Sequence, residues 1–148
     1  MILLVSGSRL ITDYNIFKRA VHQWAQNYHK EKTYPLPLNS WITGIVSGHA
    51  KGVDTLAEKF AAEQGIDSII FPANWKKNGK AAGPIRNTQM LEYGELVGAK
   101  HLLALPYPKA VGGGTNHMIS ICKRHNVEVF IYDVSTDPRW QEISVENS

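Results

Sequence analysis

The chain has 148 residues, 43% of them hydrophobic, which suits one globular domain large enough to bury a core and contains no stretch able to span a membrane. Its formal charge of +3 and pI of about 9.0 are too modest to announce a nucleic-acid binder, although they favour an anionic ligand. A single cysteine, Cys122, rules out an internal disulfide, and with no signal peptide read at the start a cytoplasmic location is expected.

In chain order, Ile2 to Val5 is a short continuous apolar run ended by Ser6, Gly7 and Ser8, as a buried parallel strand would be. A helix follows, capped by Asp13 or Asn15, with Ile16, Phe17, Ala20, Val21, Trp24 and Tyr28 at helical spacing. Pro35 and Pro37 break it. Trp41 to Val46 reads as the second strand and Val53 to Gln64 as the second helix, stopped by Gly65. Ser68 to Phe71 is the third strand, and Pro72 to Gly83 a long connection. Pro84 then opens a third helix, at a position where its missing N–H costs nothing. His101 to Leu105, Asn116 to His125 and Val127 to Tyr132 complete the alternation as strand, helix and strand. After Asp133 the polar segment has weak periodicity and is expected to be poorly ordered, which gives a domain over 1–134 and a tail over 135–148.

This alternation predicts an α/β Rossmann-like three-layer sandwich, with a mostly parallel sheet of about five strands. In such sheets ligands bind outside the carboxyl ends of the strands. Four turns follow strands directly: Ser6 to Arg9, Ser47 to Gly52, Pro72 to Asn87 and Pro106 to Thr115. All four are therefore expected at one edge, around one crevice.

Their chemistry suits a phosphorylated ligand. Gly7, Ser8 and Arg9 bring small residues, a hydroxyl and a guanidinium. In Ser47, Gly48, His49, Ala50, Lys51 and Gly52, Gly48 is read as free to take positive φ and Gly52 as allowing close approach. The unpaired amides of the following helix can hold an anion, although the spacing matches neither common phosphate-loop pattern. Asp54 is placed to meet a ribose hydroxyl or simply to suit the helix dipole. Gly112, Gly113 and Gly114 leave successive amides unshielded, and Thr115 is expected to cap the helix behind them. Between these, Asn74, Trp75, Lys80, Arg86 and Asn87 supply an aromatic plane and cations, with Lys76 and Lys77 adding charge. Trp75 reads as packing more readily than as a ligand contact. Arg86, taken as a surface arginine at a helix start, opposes the dipole and so invites another explanation. His49 and His117 stand beside the two cradles, while Cys122 reads as core packing. The histidines show no metal-ligand spacing, so no metal or cofactor is expected and no catalytic residue is assigned.

Three segments carry a resemblance: S-G-H-A-K-G-V-D-T-L-A-E at 47–58, N-W-K-K-N-G-K-A-A-G-P-I-R-N at 74–87 and G-G-T-N-H-M at 113–118. On these residues the chain resembles the YspA-type, YpsA-related branch of the SLOG superfamily. That resemblance implies a Rossmann-like domain that binds nucleotides or nucleotide-derived signals such as ADP-ribose-like or cyclic nucleotides, acting as a sensor or sequestering protein in phage–bacterium conflict, and a homo-oligomer to which Val21, Trp24 and Tyr28 contribute an apolar face. The related Lonely Guy-type phosphoribohydrolases use an Arg-Lys-x-x-Met segment, to which Arg86 to Met90 is similar, and a G-G-x-G-T-x-E-E segment. At the acidic positions of the second this chain has Asn116, His117 and Met118. N-glycosidase activity is therefore the second reading, with Asp13, Asp54 or Glu58 as substitute acids. Single-stranded nucleic-acid binding, as in DNA-processing protein A, is the third, and nucleic acid is not the expected partner.

Overall fold

A computed structural model describes residues 1–31 and 33–146. Five parallel strands form one sheet in the order β3-β2-β1-β4-β5, with β1 (Ile2–Gly7) in the centre, β2 (Gly44–Ser47) and β3 (Asp67–Ile70) on one side, and β4 (His101–Leu105) and β5 (Glu128–Ile131) on the other. The helices are α1 (Tyr14–His29), α2 (Val53–Gln64), α3 (Trp75–Asn78), α4 (Ala82–Val97), α5 (Gly114–Arg124) and α6 (Pro138–Glu146).

Successive residues of a strand point to opposite faces, and the central strands use this to feed two cores. Leu3, Val5, Leu103 and Leu105 join Phe17, Trp24 and Phe60 of α1 and α2 in one. Leu4, Leu102 and Ala104 join Met90, Leu91, Met118 and Cys122 of α4 and α5 in the other. The result is the expected three-layer α/β sandwich. Asp13 does cap α1, accepting from the amides of Asn15 and Ile16 at 3.0 and 3.2 Å. Gly65 does stop α2, in the left-handed conformation.

Beyond shifts of a residue or two at strand ends, four departures from expectation stand out. Trp41 lies outside β2: a 3-10 turn over Leu38–Ser40 turns the chain, and the Trp41 ring stacks on Trp24 and Tyr28 at 5.6 Å from each. Its packing partners are on α1, so an aromatic that reads as strand is taken out of the ladder. The 72–83 connection contains α3 and a further 3-10 turn, and α4 begins at Ala82, two residues before Pro84. Likewise α5 begins at Gly114, not Asn116. The segment after Asp133 is structured: Val134 is fully buried, and α6 follows. Asp137 anchors that helix, its carboxylate accepting from Arg19 at 3.2 Å and from the Tyr132 hydroxyl at 2.6 Å.

Of the apolar face expected on α1, Val21 and Trp24 are buried in the core, which leaves Tyr28, 38% exposed, at the surface. Among the described residues no helix is long and apolar enough to cross a membrane.

Candidate functional site

The strands are all parallel, but the order in which they are added to the sheet changes direction between β1 and β4. The path after β1 leads to α1 on one face, and the path after β4 leads to α5 on the other, so the carboxyl ends of these neighbours part and leave a crevice. A cavity of about 630 Å³ opens there. All four expected loops reach it: Gly7, Ser8 and Arg9; Gly48 and Asp54; Trp75, Lys80, Arg86 and Asn87; Gly112, Gly113, Gly114 and Thr115.

Five expected residues are not in its wall. Ser47 is buried at the end of β2, where its carbonyl accepts from the Phe71 amide at 2.9 Å. His49 turns outward to Glu58, 2.9 Å away. Lys51 is exposed on the turn. Gly52 has φ +75, and a Cβ there would overlap the backbone of Ser8 and Arg9, so its glycine serves close approach of two loops. Asn74 caps α3, accepting from the Lys77 amide at 3.0 Å.

Positive φ in this loop falls on His49, at +56, and on Gly52, and not on Gly48. Gly48 is required for another reason: a side chain there would overlap the Arg86 guanidinium. Arg86 is only 8% exposed, which corrects its reading as a surface arginine. Its Nη1 donates to the Gly48 carbonyl at 2.7 Å and its Nε to Asn87 Oδ1 at 3.0 Å. Burial lowers its pKa, Asp54 opposes that shift, and Arg9 adds to it. It remains a cation.

The first glycine turn is closed by the protein itself. The Val53 amide, at the start of α2, donates to the Ser8 carbonyl at 3.2 Å. The Ala50 amide donates to the Asp54 carboxylate at 3.2 Å. Asp54 therefore occupies the place an anion would take. It is 5% exposed, and burial pushes its carboxyl up to about 6 against the opposing pull of the Ala50 amide, Arg86 and the Gly48 amide.

The second glycine turn is open. Gly113 is the N-cap of α5, with φ 86 and ψ 174, a conformation essentially restricted to glycine. No side chain caps this end, so Thr115 lies in the first turn and not at the cap. A Cβ on Gly112, Gly113 or Gly114 would meet nothing within 4 Å. The loop is nevertheless held in shape: Asn116 Nδ2 donates to the carbonyls of Gly112 and Ala110 at 2.7 and 3.1 Å, and Asn87 Nδ2 donates to that of Gly114 at 3.0 Å. The first amides of α5 are thus unshielded at the positive end of its dipole, an arrangement able to hold an anion.

On the cleft wall Arg9 lies over the Trp75 ring, 5.1 Å from its centroid. Trp75 is 48% exposed, so it does not plug the core as its composition suggested. Tyr107 and His117 also line the cavity. Tyr107 is not among the residues singled out from sequence, although it lies two residues past the end of β4, inside the Pro106 to Thr115 turn. Its ring packs edge-on to Trp140 of α6, centroids 5.5 Å apart.

The YAcAr model, described as the YspA, cpYpsA-related SLOG family, matches residues 1–78, from β1 through the glycine turn to α3. This chain belongs to that family. The Gene 61 protein of Mycobacterium phage D29 is 30% identical over 90 residues, which is 57% of this chain and 67% of the phage protein. The structure of DNA processing protein A from Streptococcus pneumoniae superposes with a TM-score of 0.60 at 16% identity, a likeness of fold, over 99% of this chain and 56% of that one. This SLOG domain thus spans little more than half the length of that structural neighbour. Family membership points to nucleotide-related binding or processing.

The carboxylates of this SLOG domain are sharply divided. Asp13 is engaged at the α1 cap and by Arg139 at 2.8 Å, and Glu58 faces His49. Of the three acids considered from sequence, only Asp54 lines the cleft. Cys122 is buried and its thiol is pushed up to about 12 by burial, which leaves it inert as a nucleophile. Among the described residues no group of three His, Cys, Asp or Glu side chains is placed to hold a metal ion.

Proposed function

We propose that the cleft binds a nucleotide or nucleotide-derived signal, and that the protein acts as a sensor or sequestering protein for it. One observation carries this reading: the uncapped start of α5, with Gly112–Gly114 open, shares a cavity with the Arg9–Trp75 pair. The α5 amides supply a phosphate seat, Arg9 and Lys80 supply charge, and the exposed ring of Trp75 supplies a stacking plane. A phage-encoded relative gives the reading a setting in conflict between phage and bacterium.

The test is calorimetric titration with AMP, ADP-ribose, cyclic ADP-ribose, NAD and cyclic dinucleotides, followed by chromatography of each mixture. Sequestration predicts binding of one class with the ligand recovered intact. Trp75→Ala removes a half-exposed ring and is expected to weaken binding by about 1–3 kcal/mol without unfolding the protein. Gly113→Ala forces a non-glycine into its conformation and is expected to weaken it similarly. Unchanged affinity in both variants places the ligand elsewhere.

A second reading rests on Asp54. It is the carboxylate that lines the cleft among the described residues, and a group titrating near 6 can exchange a proton at neutral pH. Release of free base from AMP, abolished by Asp54→Asn, would establish N-glycosidic cleavage. The neighbour's DNA-processing role supplies the third outcome: affinity for single-stranded DNA that falls steeply with salt and is lost on charge reversal of Lys76, Lys77 and Lys80.

A further inference from the structure

We propose that Asn87 locks His117 as the neutral Nε2–H tautomer, so that the ring presents an uncharged N–H to a ligand oxygen in the cleft; this rests on the nucleotide-binding reading above. The argument begins with the orientation of the Asn87 amide. Arg86 Nε is a donor only and lies 3.0 Å from one Asn87 terminal atom, which must therefore be the oxygen. The Gly114 carbonyl is an acceptor only and lies 3.0 Å from the other, which must be the nitrogen. The two partners fix the amide independently and agree.

Asn87 Nδ2 carries two hydrogens. One goes to Gly114, and the second is directed by the remaining contact, to His117 Nδ1 at 3.1 Å. An amide nitrogen has no lone pair to offer there, so Nδ1 must accept. A neutral imidazole that accepts through Nδ1 carries its proton on Nε2. The opposite tautomer would set two N–H groups against each other beside a side chain that is only 2% exposed and already held by Arg86 and Gly114.

The position gives this proton a use. His117 lies in the first turn of α5, in the wall of the same cavity as the Gly112–Gly114 turn, and no hydrogen bond from its Nε2 is formed among the described residues. It extends the row of backbone donors by one side-chain donor without adding charge. Asn87 is a positioning residue in this scheme: it ties Arg86, the α5 start and the imidazole to one amide. The group recognised is an oxygen acceptor, either phosphate or sugar hydroxyl.

Long-range ¹H–¹⁵N correlation spectra of the ¹⁵N-histidine-labelled protein test this, with the His117 signals assigned by their absence from His117→Gln. In the free protein Nδ1 is expected to be bare and Nε2 protonated. A protonated Nδ1, or an averaged ring, overturns the lock whatever the protein binds. Asn87→Ala is expected to release the ring into a mixture of tautomers, and persistence of a single Nε2–H form there assigns the lock to something else and overturns it. The ligand arm uses AMP, inorganic phosphate and adenosine. A shift of Nε2 with phosphate and AMP assigns the acceptor to phosphate, and a shift with adenosine and AMP assigns it to the sugar. AMP that binds without moving Nε2 overturns the donor role. If none of the three binds, the AMP reading fails while the free-protein spectrum still decides the tautomer. His117→Gln, which keeps a neutral N–H donor, is expected to hold AMP within a few-fold of the parent, and His117→Phe to lose about tenfold; equal affinity in both variants overturns the donor role.

Discussion

Arg86 Nη1 donates to the Gly48 carbonyl at 2.7 Å, and the absent side chain of Gly48 is the space its guanidinium fills. Gly48 lies in the turn after β2 and Arg86 in α4, 38 positions apart, and their contact sets where the first glycine turn meets α4. Gly48→Ala is expected to cost about 1–3 kcal/mol in urea unfolding, because the buried arginine must give way or lose its hydrogen bond. Combining it with Arg86→Ala removes the clash, so the double variant should be more stable than the sum of the two losses by about 1 kcal/mol or more. Strict additivity would show that the two do not compete for the same space.

Asp54 should make this protein less stable as pH rises through the window between the ordinary aspartate range and about 6. The sign follows from proton counting. Burial holds the folded carboxyl protonated where the unfolded one has already ionised, so the native state binds more protons and stability falls with pH until both forms are charged. Asp54→Asn keeps the shape and removes the titration. It is expected to gain on the parent by about 1–3 kcal/mol at pH 7, with the gap closing near pH 4. Parallel unfolding profiles for the two proteins from pH 4 to 7 would refute this.

Asp137 is 1% exposed and is the point at which α6 is tied to the domain. It accepts from Arg19, from the Tyr132 hydroxyl and from the Arg139 amide, the last at 2.8 Å. Asp137→Ala leaves those donors without their acceptor and is expected to cost about 3–5 kcal/mol in thermal or urea unfolding. Because Trp140 of α6 packs on Tyr107 in the cleft wall, ligand affinity should fall as well. A variant with unchanged midpoint would mean that α6 is not part of the cooperative unit.

The layers of the fold were legible because parallel strands and amphipathic helices leave strong periodic signals, as Ile2 to Val5 and the α1 stripe show. The convergence of four loops on one edge was legible for the same topological reason. What stayed hidden depended on pairs distant in sequence. Nothing local to Gly48 says that an arginine from α4 will lie against it. Asn74 has the composition of a ligand contact, but its side chain is used to cap a four-residue helix too short to show a period. Asp54 looks like a ribose partner until Ala50 turns out to donate to it. The helix after Asp133 leaves little trace in the sequence because its anchor, Asp137, is polar, and its partners are Arg19 of α1 and Tyr132 just past β5.

The half-exposed ring of Trp75 has a practical side. The chain has four tryptophans. Trp24 and Trp41 are stacked on each other at the far end of the sheet, and Trp140 rests on Tyr107. Only Trp75 faces the cleft with half its surface in water and a guanidinium over it. Occupancy of the cleft thus carries its own optical reporter: emission that changes on ligand addition in the parent and stays flat in Trp75→Phe tracks the site directly, with no label attached.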